Sequence, residues 1–307
     1  MFEDIKDNVD WKKIEKINYG WSSDEKYYIE TNALKQYSLR VSDIGSYEKK
    51  LKEYKTVEKY AKLGFEMSKP ISFGICCNNQ KVYMLLSWVE GEDLEKALPI
   101  LSEKEQYLLG REAGMILKKI HGMKLPKKQI PLSTNIEKKL KQLSGYESSS
   151  LRIPDDEYTI KYIKDNINKL WSKPAVYQHG DFHPGNLILT PDGKLGVIDF
   201  NRWGIGDPYE EFYKLESFGT DVSIPYCVGQ IDAYFDDVVP SDFWEILAVY
   251  VAHASLYSIV WAYQFGQDEI DNMTRICRKS MLHYDDFKSV VPGWYMSYHN
   301  DYKIITK

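Results

Sequence analysis

Three short runs near the start of the chain, Lys26 to Thr31, Tyr37 to Val41 and Lys81 to Trp88, gather Tyr, Val, Ile and Leu between polar or turn-forming stretches. Runs of that length and composition predict the strands of a small antiparallel sheet. Between the second and third, Leu51, Tyr54, Val57, Glu58 and Ala61 approximate a helical stripe, and Gly64 stands where that helix would stop. After Val89 the polar break Glu90-Gly91-Glu92-Asp93 predicts a connector, and the periodicity then turns helical. Ser102 with Glu105 forms a capping-box pattern, and Leu109, Ala113, Ile116, Leu117 and Ile120 mark one face of the long helix that follows. Further helices are expected at about Tyr158 to Trp171, Asp242 to Phe265 and Glu269 to His283, with Ser144 to Pro154 as a Ser-rich loop.

This order of elements predicts an α+β chain of two lobes, a sheet-based lobe over residues 1–90 and a mainly helical one over 91–307. A length of 307 residues, 43% of them hydrophobic, is enough to bury a core in each. A net charge of -5 and a pI near 5.8 exclude the broad basic face that a nucleic-acid partner would need. The start, Met1 to Trp11, is acidic and polar, unlike a secretion signal. The most apolar stretch, Ile246 to Ala262, is interrupted by His253, Ser255 and Ser258, and reads as a buried helix, so no membrane association is expected. Cys76, Cys77, Cys227 and Cys277 form no CxxC pair and no zinc spacing, which suits reduced thiols in the cytoplasm.

The chemistry concentrates in His179-Gly-Asp-Phe-His-Pro-Gly-Asn186, followed by the apolar run Leu187 to Leu189, a Pro191-Asp192-Gly193 turn, and Leu195 to Ile198 ending at Asp199. It reads as a loop and then a hairpin, which would bring Asp199 back towards Asn186. An aspartate and an asparagine amide oxygen are hard ligands suited to magnesium. Asp181, upstream, could accept the proton of an attacking hydroxyl while a metal neutralises the transferred phosphoryl group. Turn capping alone would also favour Asp, Asn and Gly here, but it does not account for both halves at this spacing.

The HGDFHPGN segment followed by IDF resembles the catalytic loop and metal-binding motif of aminoglycoside phosphotransferases and of their relatives among choline, macrolide and fructosamine kinases. The resemblance implies the protein-kinase-like two-lobed fold, with Asp181 as base, Asn186 and Asp199 as magnesium ligands, and His179 as an organiser of the loop. It implies a nucleotide lobe with a phosphate loop, a basic strand residue and a glutamate on the next helix. For these the sequence offers Gly20 to Asp24 with Ser22 and Ser23, then Arg40 where the family more often has lysine, and Glu53. A planar guanidinium could hold phosphate oxygens and Glu53 together. Leu85 to Val89 resembles the hinge that meets a purine, with Ser87 and Val89 contributing and ATP or GTP equally admissible. Asp207, before Pro208, resembles the aspartate that fixes the catalytic loop.

The implied activity is transfer of a γ-phosphoryl group from a magnesium nucleotide to the hydroxyl of a small molecule, first an aminoglycoside, with antibiotic resistance as the consequence. Choline-like alcohols, sugars and macrolides are alternative acceptors, and a silent kinase-like binding module is a third possibility that Asp181, Asn186 and Asp199 together oppose. Acidic residues at Asp232, Asp236, Asp237, Asp268, Glu269 and Asp271 would draw a polyamine sugar if they lined a cleft, although helix starts favour such residues anyway. His121 reads as a helix-end histidine, His183 as loop packing, and Trp261, Tyr263 and Phe265 as either pocket or core. Oligomeric state is left open by the sequence.

Overall fold

Strand-forming residues of alternating burial build the first sheet, described here from a computed structural model that covers residues 2–5, 10–18 and 24–305. Strands β1 (Trp11–Ile17), β2 (Glu25–Thr31) and β3 (Gln36–Asp43) lead into helix α1 (Tyr47–Tyr60), followed by β4 (Glu66–Met67), β5 (Pro70–Cys76) and β6 (Lys81–Ser87). Five of these form an antiparallel sheet in the order β1-β2-β3-β6-β5. One face buries Tyr27, Ile29, Leu39, Val41 and Leu85 with Phe2 and Ile5. Lys26 pairs in register with Arg40 across β2 and β3, so two cations project side by side. The α1 segment closes through a short 3-10 turn to Gly64, whose φ of 77° is the left-handed conformation that glycine adopts at least cost.

The polar connector is a strand in its own right. Glu92–Asp93 (β7) pairs with β9 (Leu187–Leu189), and β9 turns back into β10 (Leu195–Val197), giving a small sheet in the order β4-β10-β9-β7. Gly91, at φ 143°, lies so close to the Leu189 carbonyl that a Cβ would collide with it. The chain accordingly divides into two units, Met1–Leu94 with Asn186–Trp203, and Glu95–Gly185 with Gly204–Lys307. A single division near residue 90 is thereby replaced by three crossings, because the hairpin is built into the first unit.

Helix α2 (Leu94–Ala97) begins at that boundary. In the second unit, α3 (Glu103–His121) starts with the capping box foreseen from Ser102 and Glu105 and buries Leu109, Ala113, Ile116, Leu117 and Ile120. Helices α4 (Ile136–Glu147) and α5 (Glu157–Asn166) follow, then β8 (Val176–Gln178), β11 (Gly204–Gly206), α6 (Ile224–Tyr234), α7 (Ser241–Ala262), α8 (Gln267–His283) and α9 (Gly293–Ile305). Gly110 and Gly114 of α3 meet the Tyr226 and Gln230 carbonyls of α6, and Gly229 meets the Tyr107 carbonyl, so the two backbones touch where a Cβ would collide.

Helix α4 departs from the sequence expectation, since residues 144–147 belong to its last turn rather than to a loop. Burial of Leu143 and Tyr146 on one face outweighs the low helix propensity of Ser144 and Gly145. Helix α5 stops at Asn166, passes into a 3-10 turn, and ends before Trp171 at φ 61°. Helix α7 stops at Ala262, ahead of Gly266 at φ 99°. Among the described residues, Ser241–Phe265 is the one helical stretch long and apolar enough to cross a membrane, and most of it is buried in the fold.

Candidate active site

In the first unit, the return of the β9–β10 hairpin places Asp199. Ile198 donates its N–H to the Asn186 carbonyl at 3.1 Å, which ties the two ends of the hairpin together and leaves Asp199 at the exit of β10. Asp199 sits at φ 59°, ψ 65°, a conformation uncommon for a residue with a side chain. Its Oδ1 accepts from Arg40 Nη1 at 2.7 Å and its Oδ2 from Lys26 Nζ at 2.9 Å. Burial alone would favour the neutral acid, but the Arg40 and Lys26 charges prevail and hold the Asp199 carboxyl well below the usual aspartate range.

Arg40 extends the network inward. Its Nη2 donates to Asp24 Oδ2 at 3.1 Å, and the same oxygen accepts from Lys50 Nζ at 2.5 Å. Lys50 also reaches Glu53 Oε2 at 2.9 Å. The direct Arg40–Glu53 pairing expected from sequence is therefore replaced by a relay: among the described residues Lys50 makes the ion pair with Glu53, while Arg40 feels Glu53 only as a more distant charge. The physical reason is placement. Lys50 stands one turn before Glu53 on α1, whereas the Arg40 fork is already committed to Asp24 and Asp199. Arg40 Nε is buried without a hydrogen-bond partner.

The phosphate-loop candidates Ser22 and Ser23, with Gly20 and Trp21, lie outside the described residues. Ser87 closes β6; its N–H donates to the Lys69 carbonyl at 2.8 Å and its Oγ accepts from the Lys69 N–H at 2.9 Å. Val89 is buried just beyond, against Gly196 of β10.

The loop that carries Asp181 belongs to the second unit. His179 is fully buried, and its N–H and that of Gly180 donate to Glu211 Oε2 and Oε1 at 2.9 and 2.6 Å. Gly180 takes φ 84° to present both amides to one carboxylate. The Asp181 N–H then donates to His179 Nδ1 at 3.2 Å, which makes Nδ1 the acceptor and fits the organising part expected of His179. Lys214 Nζ stands 2.7 Å from Asp181 Oδ1, and His183 Nε2 lies 3.8 Å from the same oxygen. His183 packs on the Phe218 ring with centroids 5.0 Å apart.

His121 has a more specific place than a helix-end position requires. It is buried between Tyr234 OH, 2.8 Å from Nδ1, and Glu211 Oε2, 2.9 Å from Nε2, so it buttresses the carboxylate that holds the loop. Asp207 accepts from the Trp171 and Tyr209 amides at 2.8 and 3.0 Å and from Tyr250 OH at 2.9 Å. Its burial nevertheless outweighs these bonds and raises its pKa.

The acidic clusters are engaged within the fold. Asp232 accepts from Tyr107 OH at 2.9 Å and Tyr295 OH at 2.6 Å, Asp236 pairs with Lys118 at 2.6 Å, and Asp237 pairs with Arg111. Asp268 and Glu269 sit in the first turn of α8, where the helix dipole favours them, and Asp271 accepts from Gln267 at 2.7 Å. Trp261 and Phe265 touch each other, while Phe265 and Tyr263 are exposed rather than core.

Sequence reasoning missed Lys26, Asp24, Lys50, Lys214 and Glu211 as parts of these networks. Only Glu211 carried a signal, through its position shortly after Asp207-Pro208. The others become neighbours of Asp199, Arg40, Glu53 or Asp181 only through strand register, helix phase and chain return.

With this geometry in hand, residues 13–244 match the APH phosphotransferase enzyme family, and the chain belongs to it. An aminoglycoside 3'-phosphotransferase of Niallia circulans is 33% identical over 102 residues, a stretch that spans 31% of this chain and 38% of that relative. In fold, the chain is similar to the gentamicin complex of APH(2")-IIa, with a TM-score of 0.66 and 19% identity over 90% of this chain and 94% of the other. It is also similar to the amicoumacin kinase hAmiN in complex with AMP-PNP, Ca2+ and Ami, with a TM-score of 0.62 and 12% identity over 92% of each chain. The fold is that of the aminoglycoside phosphotransferases, an α+β kinase-like architecture.

Proposed function

We propose that this chain is a small-molecule kinase that moves the γ-phosphoryl group of ATP or GTP to a hydroxyl of an aminoglycoside, with magnesium as the metal. The observation that carries the reading is the Asp199 carboxylate, kept ionised by Arg40 and Lys26 at the end of the hairpin that begins at Asn186. A carboxylate and an amide oxygen fit magnesium, which takes few protein ligands and completes its shell with water and phosphate oxygens. That ion, when bound, neutralises charge on the nucleotide's phosphates. Arg40 and Lys26, flanking the same carboxylate, would hold those phosphates. Asp181 would orient the acceptor hydroxyl and take its proton.

The donor and metal assignments draw support from the relative bound to AMP-PNP and Ca2+, and the acceptor from the relatives named for aminoglycosides. On this reading the chain works in the cytoplasm, which suits its free cysteines, and confers resistance on a sensitive host.

One observation favours a second acceptor class. Lys214 sits against the base, and Asp232, Asp236 and Asp237, which would draw a polycation, are taken up by tyrosine, lysine and arginine partners. A neutral hydroxyl compound would meet less repulsion there than an aminoglycoside.

The test is nucleotide turnover by purified protein with magnesium and ATP or GTP across aminoglycosides, macrolides and choline-like alcohols. Stimulation by an aminoglycoside that disappears in Asp181→Asn is the expected result. Stimulation by a neutral alcohol alone selects the second reading, and no phosphoryl transfer to any acceptor would count against both.

A further inference from the structure

We propose that Lys214 is a working part of the phosphoryl-transfer site, a fixed ammonium that holds the Asp181 carboxylate in its reactive orientation and offsets the negative charge gathering around it during transfer. The inference rests on the reading of Asp181 as the base. It goes beyond that reading because Lys214 lies outside the loop motif, in the segment after Asp207.

Three features of the structure carry it. The Lys214 Nζ–Asp181 Oδ1 distance of 2.7 Å is that of a charge-assisted hydrogen bond. The pair is sheltered, with the Lys214 side chain 6% and the Asp181 side chain 16% exposed, so bulk water screens it weakly. The lysine is also held from the side, its Nζ 5.1 Å from the Tyr213 ring centroid and 5.2 Å from that of Phe218, and Phe218 in turn packs on His183. A surface lysine has no such seat. Burying an ammonium is costly unless something needs its charge.

In the step itself the acceptor O–H gives its proton to Asp181, and the acceptor oxygen bonds to the γ-phosphorus. The bond from that phosphorus to the β–γ bridging oxygen breaks, and the electron pair leaves on the nucleoside diphosphate. Lys214 stays protonated throughout. Its charge favours the ionised base beforehand and is placed to stabilise the more negative transition state.

The experiment compares wild type, Lys214→Met, Lys214→Arg and Asp181→Asn in turnover of Mg-ATP and Mg-GTP, with water and with kanamycin as probe acceptors, and with folding checked by thermal melting. Expected is a fall in kcat of roughly 10²-fold in Lys214→Met with the nucleotide KM nearly unchanged, since a preorganised charge acts on the transition state more than on binding. Lys214→Arg keeps the charge and recovers part of the loss. A Lys214→Met enzyme with wild-type kcat, or one that loses only nucleotide affinity, overturns the proposal. So does a Lys214→Arg protein that melts like wild type yet is as slow as Lys214→Met. If Asp181→Asn keeps full turnover, the base assignment fails and Lys214 falls with it. If Asp181→Asn is inactive while Lys214→Met is not, only the lysine's part is lost.

Discussion

Arg40 Nη1 lies 2.7 Å from Asp199 Oδ1, and the other arm of the same guanidinium lies 3.1 Å from Asp24 Oδ2. One buried fork thus joins the end of the β9–β10 hairpin to the start of β2. A lysine at this position would have to gather both carboxylates around a single nitrogen, whereas the guanidinium meets each with a separate arm.

Arg40→Met is expected to destabilise the fold by about 3–5 kcal/mol, because it strands two sheltered carboxylates without their shared partner. Arg40→Lys should lose less stability but raise the nucleotide KM. Urea denaturation and nucleotide titration separate the two effects, and a fully stable Arg40→Met would show that Lys26 and Lys50 suffice for the network.

Asp181→Asn should lower turnover by about 10²–10⁴-fold while nucleotide affinity stays near that of the parent, since a positioned base acts on the proton and not on the phosphates. Steady-state rates with equilibrium nucleotide binding test this, and an unchanged rate removes Asp181 as base.

Glu211→Ala should slow turnover without touching substrate. The carboxylate gathers the amides of His179 and Gly180 and the ring of His121, and without it buried donors are left unpaired beside Asp181. Loss of stability together with a fall in kcat is expected. A normal kcat in a folded Glu211→Ala protein would show that the loop keeps its shape unaided.

Burial, with the nearby Lys139 charge, pushes the His253 imidazole down from its ordinary 6.5 to about 3 in the fold. The unfolded chain therefore takes up this proton first. Stability from neutral His253 is complete above the ordinary histidine value of 6.5 and is lost as pH falls from there towards about 3. The slope approaches about 1.4 kcal/mol per pH unit across that window. Chemical denaturation at a series of pH values should show the decline in wild type and a shallower one in His253→Gln; equal slopes would assign the acid sensitivity to other groups.

Gly110→Ala should destabilise the second unit by roughly 1–3 kcal/mol, because the new methyl meets the Tyr226 carbonyl of α6 and neither backbone can give way cheaply. Gly145→Ala, where a Cβ meets nothing, serves as the control and should melt at or above the parent temperature. A lower melting temperature in the control than in Gly110→Ala would contradict the close packing of α3 on α6.

The sequence by itself determined the local elements and the identity of the chemistry. Alternating and helical periodicities are set by which side chains can be buried, so β2, β3, β6, α3, α7 and α8 were readable from residue spacing, as was the capping box at Ser102. The loop from His179 to Asn186 and the hairpin to Asp199 were readable because turn chemistry and motif spacing are properties of a continuous stretch. Tertiary structure decided the partners. Lys26 meets Asp199 through strand register and hairpin return, Lys50 takes Glu53 through helix phase, and Lys214 reaches Asp181 from thirty-three positions further along the chain. Charge pairing between distant segments depends on distance in space, on which residue periodicity is silent, and the end of α4 is helical because burial of Leu143 and Tyr146 overrides a composition typical of loops.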